Sequence, residues 1–228
     1  MRAAKVVGIL LAVGVAAVVV GVGCGQSASP QGQAPEIALP PPATTGTVSV
    51  EEALAKRRSV RAFSSKALTL EQVSQLAWAA QGITEPGRGL RTAPSAGATY
   101  PLELYLATPD GLFRYLPRGH KVAKLSGEDR RAALAEAALG QASVRNAALD
   151  IVITALYERT AGKYGARAQR YVHLEAGHVA QNIHLQAVSL GLGSVPVGAF
   201  EDAAVSKVLA LGSGETPLYV IPVGHPAR

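Results

Sequence analysis

Four short stretches of this 228-residue chain gather residue types that can do chemistry. The first is Arg57-Arg58-Ser59-Val60-Arg61-Ala62-Phe63. Guanidinium forks and a hydroxyl on one side of a backbone suit a phosphate dianion. Arg57, Ser59 and Arg61 are spaced by two, so an extended segment presents all three on one face. Arg57 and Arg61 would also align on a helix. The same basic residues equally suit the negative end of a helix dipole. The second stretch is Arg91-Thr92-Ala93-Pro94-Ser95-Ala96-Gly97-Ala98-Thr99-Tyr100-Pro101. Small residues between prolines make a rigid, open backbone that a flat ring can approach, with the Ser95 hydroxyl and main-chain N–H groups free to donate. Its plainer reading is a tight turn before a strand.

The third stretch, Leu192-Gly193-Ser194-Val195-Pro196-Val197-Gly198-Ala199-Phe200, again offers backbone donors without bulk, or else an ordinary loop after a helix. The fourth is Lys163-Tyr164. An adjacent amine and phenol can move protons where burial or a neighbouring charge adjusts the lysine; a surface pair is the commoner case. The histidines point elsewhere. His173 and His178 are five apart and do not share a helix face, while His173 and His184 share one but are three turns apart, too far for one metal ion. There is no acidic cluster, no Walker A loop and no G-x-G-x-x-G. Metal and nucleoside-triphosphate chemistry therefore fit poorly, and no metal site is expected.

The elements that must position these groups are legible from periodicity. Ser49-x-x-Glu52 predicts a capped helix running to about Arg58, and Thr69-x-x-Gln72 a second, stopped by Gly82. Residues 83–100 read as one long loop. Leu102, Leu104 and Leu106 alternate with Glu103, Tyr105 and Ala107 as a strand, and residues 112–116 return as a hairpin after Pro109-Asp110-Gly111. A helix over 128–139, a buried strand over 151–156, a long helix over 169–190, a short helix over 202–211 and a last strand over 218–223 follow. Apolar residues 174, 180 and 185 fall off the main stripe of the long helix, which suggests that a second face is covered, by a partner subunit.

With 48% apolar and 17% charged residues the chain can bury one sizeable core. Its net charge of +6 is dispersed, without a Lys/Arg block or a basic stripe interleaved with aromatics, so nucleic acid is not the expected ligand. Cys24 is the single cysteine, which excludes an intrachain disulfide. It closes an uncharged run over residues 6–23 that follows Arg2 and Lys5. That pattern resembles a bacterial lipoprotein signal with Cys24 lipidated, or an uncleaved anchor helix. Both readings place the domain outside the cytoplasmic membrane, in the cell envelope. Residues 24–35 read as a flexible tether and 36–228 as the folded domain.

Taken in order, residues 37–40, 51–63, 70–84, 93–97, 159–167, 173–182, 190–200 and 222–226 resemble the SagB-type dehydrogenases of the nitroreductase-like flavoproteins. The resemblance implies an α/β (α+β) fold, a central mixed sheet flanked by helices, forming a homodimer with FMN at the interface. It implies that Arg57, Arg58, Ser59 and Arg61 hold the ribityl phosphate, with Arg228 as a further contact. Pro94, Ser95 and Ala96 would line the ring from the partner subunit, with Pro196, Val197 and Gly198 beneath its reactive part. Lys163 and Tyr164 match a pair that serves proton transfer. The implied activity is hydride transfer between flavin N5 and a small organic or peptide substrate. Two alternatives stand beside it: a nitro or quinone reductase using NAD(P)H, and a flavin-binding surface lipoprotein without turnover.

Overall fold

A computed structural model describes residues 34–227. The expected signal or anchor, Cys24, most of the tether and Arg228 lie outside the described residues. Along the chain come β1 (Glu36–Ala38), α1 (Val50–Lys56), α2 (Leu70–Gln81), β2 (Ile83–Glu85), β3 (Leu90–Arg91), β4 (Leu102–Thr108), β5 (Gly111–Leu116) and β6 (Lys121–Ser126). Then follow α3 (Arg131–Ala137), α4 (Ala142–Arg145), β7 (Leu149–Leu156), α5 (Glu158–Tyr164), α6 (Ala168–Ser189), β8 (Gly193–Ser194), α7 (Asp202–Leu209) and β9 (Glu215–Gly224).

Seven strands form one sheet in the order β1-β6-β5-β4-β7-β9-β8. Among the described residues all its ladders are antiparallel, and the short β4–β5 and β5–β6 turns can pair their strands only that way. The expected mixed character is confined to one parallel bridge, between Ser59 and Ser194. Side chains alternate across the sheet into two cores. Leu102, Leu104, Leu106, Ile151, Ile153 and Ile221 face α2 and α6. Tyr105, Ala107, Val152 and Val220 face α3 and α7. Covered on both sides, β7 is buried along almost its whole length and mostly apolar, with Asp150 and Thr154 as its two polar residues.

The capping patterns predict both early helix starts. Thr69 and Gln72 form the full reciprocal box. Ser49 accepts from Glu52 N at 3.1 Å, but the Glu52 carboxylate turns to Lys56 instead, so that box is half made. The extended arm after β1 is strapped down by Gln75, which bonds both the N–H and the carbonyl of Ala43. His120 meets Ser74, Tyr115 and the Pro40 carbonyl.

Four expectations change. Residues 83–100 are not one loop: β2 and β3 pair antiparallel, and a single 3-10 turn spans Ala96–Ala98. The helix expected over 128–139 is α3, with α4 separate, since Leu139 and Gly140 take positive φ and break it. Strand β6 carries no clean alternation and went unanticipated. On α6, Ala180 belongs to the core while Leu174 is exposed. Among the described residues no helix is long and apolar enough to cross a membrane.

Candidate active site

Helix α1 ends at Arg57, whose N–H still reaches Ala53 O at 2.9 Å, and the chain then runs extended. Val60 N donates to Ser194 O at 3.0 Å, Ser64 N to His225 O at 2.9 Å, and Ala227 N to Ala62 O at 2.9 Å. The Arg57–Phe63 stretch is thereby clamped between β8 and the end of the chain. Two glycines make that clamp possible. A Cβ on Gly193 would stand 2.6 Å from Val60 Cβ, and one on Gly224 would stand 3.0 Å from the Phe63 ring. Arg58 does not join its neighbours: its guanidinium bonds the Ala55 and Arg57 carbonyls, the helix-end role open to it from sequence. Arg57, Ser59 and Arg61 make no side-chain hydrogen bond or ion pair among the described residues. Behind them, His184 Nδ1 lies 2.9 Å from Ser194 Oγ. Burial, helped by the charge of Arg57, pulls the His184 pKa down to about 4. The Pro196–Gly198 segment continues from Ser194 and is fixed by the Val197–Val220 bridge. So the first and third stretches come together in space.

The second and fourth also meet. Gly97 has φ +60, and a Cβ there would be 2.6 Å from both Lys163 Nζ and Tyr164 Oη. The amine and the phenol thus lie within about 5 Å of each other over this glycine. Both come from the last turn of α5. Lys163 Nζ also donates to Gly97 O at 3.4 Å. Ser95 Oγ accepts from Tyr100 N at 2.9 Å, and Thr99 and Thr160 share a hydroxyl contact at 2.8 Å. The loop bends sharply, since Ala98 and Tyr100 take positive φ as well.

Sequence reasoning missed what holds this loop in place. Glu175, His178 and Asn182 occupy one face of α6, at i, i+3 and i+7. Asn182 donates to the Thr92 and Ala79 carbonyls, and His178 Nδ1 lies 3.4 Å from Pro94 O. Glu175 is buried beneath the loop. Burial raises its carboxyl pKa, while the Ser95 hydroxyl, the Gln81 amide and Arg91 pull the other way. The helical spacing of these three polar residues was the available signal.

The two groups pack against different sides of α6. Glu175 and His184 are nine residues apart on α6, so they point roughly 180° apart and sit ~14 Å apart along its axis. The Pro94–Ala96 loop rests on one side of that helix and Ser194 with the arginine stretch on the other.

The nitroreductase family matches residues 54–225. The chain belongs to that family. A nitroreductase-family relative from Methanocaldococcus jannaschii is 46% identical over 184 residues, covering 78% of this chain and 91% of its own. Among solved structures, a protein of Ralstonia eutropha described as a nitroreductase aligns with TM-score 0.76 and 30% identity, over 85% of this chain and 90% of that one. The NADPH:FMN oxidoreductase of Vibrio harveyi aligns with TM-score 0.59 and 24% identity, over 78% and 69%, and shares the fold. This nitroreductase-family protein is an oxidoreductase with the family's α+β architecture.

Proposed function

We propose that the protein is an FMN-dependent oxidoreductase of the SagB type, working as a homodimer. The observation that carries the reading is the convergence of Lys163 Nζ and Tyr164 Oη on Gly97. Bound FMN would supply hydride acceptance and donation at its N5. The donor set fits its phosphate. Among the described residues the side chains of Arg57, Ser59 and Arg61 have no hydrogen-bond or ion-pair partner, and they lie on a backbone locked by Gly193 and Gly224. The position of Arg58 favours a supporting role, keeping the end of α1 closed. Arg228, outside the described residues, stays a proposed further contact. Pro196, Val197 and Gly198 would lie beneath the ring. Pro94, Ser95 and Ala96 would line it from the partner subunit. The homodimer is supported by the two groups lying on opposite sides of α6, because a second copy can bring one group to the other. Lys163 and Tyr164 would hold and move the substrate proton that accompanies hydride transfer.

A second reading is favoured by the 46% identity to the M. jannaschii relative: reduction of nitro or quinone compounds by NAD(P)H, without oxidation of a peptide or small organic donor. The experiment that separates them is anaerobic titration of the purified protein with NADPH, followed by quinone and nitroarene acceptors. Bleaching by NADPH and recovery with a nitroarene support the second reading. A flavin that resists NADPH but is reduced by an organic donor supports the first. No redox response to any of these contradicts both.

The location we propose, in the cell envelope behind a lipidated Cys24 or an anchor, rests on residues 1–24 alone. Cys24→Ser should leave an unprocessed precursor of higher mass if Cys24 is the modified mature N-terminus. An unchanged mass and unchanged membrane fraction would remove lipidation from the account.

A further inference from the structure

The sheet opens between β4 and β5. Their ladder runs from the Thr108–Gly111 pair to the Tyr105–Arg114 pair and stops. Beyond that point Leu102–Leu104 pair only with β7, and Tyr115 and Leu116 only with β6. The gap forms one wall of a cleft of about 600 Å³, bounded elsewhere by the β2–β3 hairpin, by Ala98–Tyr100 and by Arg159. Five arginines contribute to its lining, Arg88, Arg91, Arg114, Arg118 and Arg159, against one acidic residue, Glu103.

That carboxylate is already engaged, held by Arg159 at 2.6 Å. Arg88 reaches only the exposed Glu85, at 3.5 Å. Arg91 is half-buried, donates to Gln81 at 2.8 Å and lies 4.3 Å over the Tyr100 ring, and burial lowers its pKa. Arg114 and Arg118 form no ion pair among the described residues, and Arg114 Nε is buried without a hydrogen-bond partner. A buried, unsatisfied donor costs ~1–3 kcal/mol, and more on a charged group. Like charges crowded into a walled cleft add repulsion and focus a positive potential. One oxoanion answers both, because its oxygens match the guanidinium fork. A strand pair that parts also leaves main-chain groups needing hydrogen-bond partners.

We infer that this cleft binds a small molecule through a carboxylate or phosphate group, with Arg114 and Arg118 as the forks that grip it. Its wall at Ala98–Tyr100 continues directly from Gly97, where Lys163 and Tyr164 meet. The anion is thus the anchored end of the molecule on which that pair acts. This last step rests on the catalytic reading; binding of the anion does not.

The test is calorimetric titration of the purified full-length protein with tricarballylate and, separately, inorganic phosphate, at ionic strength held constant with chloride. Saturable binding of one anion is expected, and which anion binds tells carboxylate from phosphate. Arg114→Ala combined with Arg118→Ala should weaken it at least tenfold. Arg118→Ala alone changes an exposed side chain, so it keeps the fold, and should weaken binding several-fold. Lys207→Ala removes an equal charge at an exposed position of α7 and should leave binding unchanged. Flavin content is read on the same samples. Wild-type protein that binds the anion but neither carries nor takes up FMN would retain the cleft and remove the catalytic link. Absence of saturable binding for both anions, or equal binding by the double variant, overturns the site.

Discussion

His184 and Ser194 face each other at 2.9 Å through Nδ1 and Oγ, directly behind the strand edge that holds Arg57 to Arg61. The imidazole is buried and neutral. Its folded pKa of about 4 lies below the ordinary 6.5, so between those values the unfolded chain binds a proton that the folded chain does not. Stability from this residue is therefore complete above pH 6.5 and is lost as pH falls towards 4. The full difference is ~3 kcal/mol. Denaturant unfolding at pH 7.5, 6.5, 5.5 and 4.5, in wild type and His184→Gln, should show a flatter acid limb in the variant. Parallel limbs would contradict the assignment.

Asp150 runs the opposite way. It lies in β7 between Ala107 and Pro222, fully buried, and neither carboxyl oxygen has a hydrogen-bond partner. Burial raises its pKa well above the ordinary 3.8, against the pull of Arg131. The folded state here holds the proton more tightly, so stability falls as pH rises from that ordinary value through the raised one. Asp150→Asn should remove this decline and leave the variant relatively more stable towards alkaline pH. A thermal-melt series from pH 5 to 9 reads it.

Gly97→Ala tests the meeting point of Lys163 and Tyr164. The left-handed backbone costs a Cβ-bearing residue ~1–2 kcal/mol, and the new methyl would strike both Lys163 Nζ and Tyr164 Oη. Turnover should drop at least tenfold with flavin content unchanged. Retained turnover would mean that the two side chains do not work at this position.

Lys163→Met and Tyr164→Phe remove the two groups proposed to handle the proton, without touching the arginine stretch. Each should lower turnover by roughly 10²–10⁴-fold while the protein stays yellow, as expected for general acid–base groups. The pH–rate profile should also lose a limb. Loss of flavin from either variant would assign the pair a binding role instead.

Much of the fold was open to sequence reasoning because it rests on local rules. Thr69 and Gln72 specify their own helix start, and the short, β-branched Ile151–Ile153 run of β7 reads as a strand covered on both faces. Strand β6 was not legible, since Lys121 and Lys124 interrupt its alternation where β1 and β5 flank it. The Leu90–Arg91 strand is two residues long, below any periodic signal. For the site, residue types pointed to the four stretches, but which of them meet depends on the side of α6 each one packs against. Gly97 shows the difference. Its place in a small-residue loop is plain in the sequence, whereas its contact with Lys163 arises only once α5 folds across that loop.

The most direct measurement is the flavin stoichiometry of the purified protein beside that of Arg57→Ala with Arg61→Ala. The account predicts about one FMN per wild-type chain, since each copy offers one phosphate cradle. It predicts a colourless double variant that remains folded by circular dichroism. Wild-type protein that neither carries nor takes up FMN, or a double variant as yellow as wild type, would contradict it.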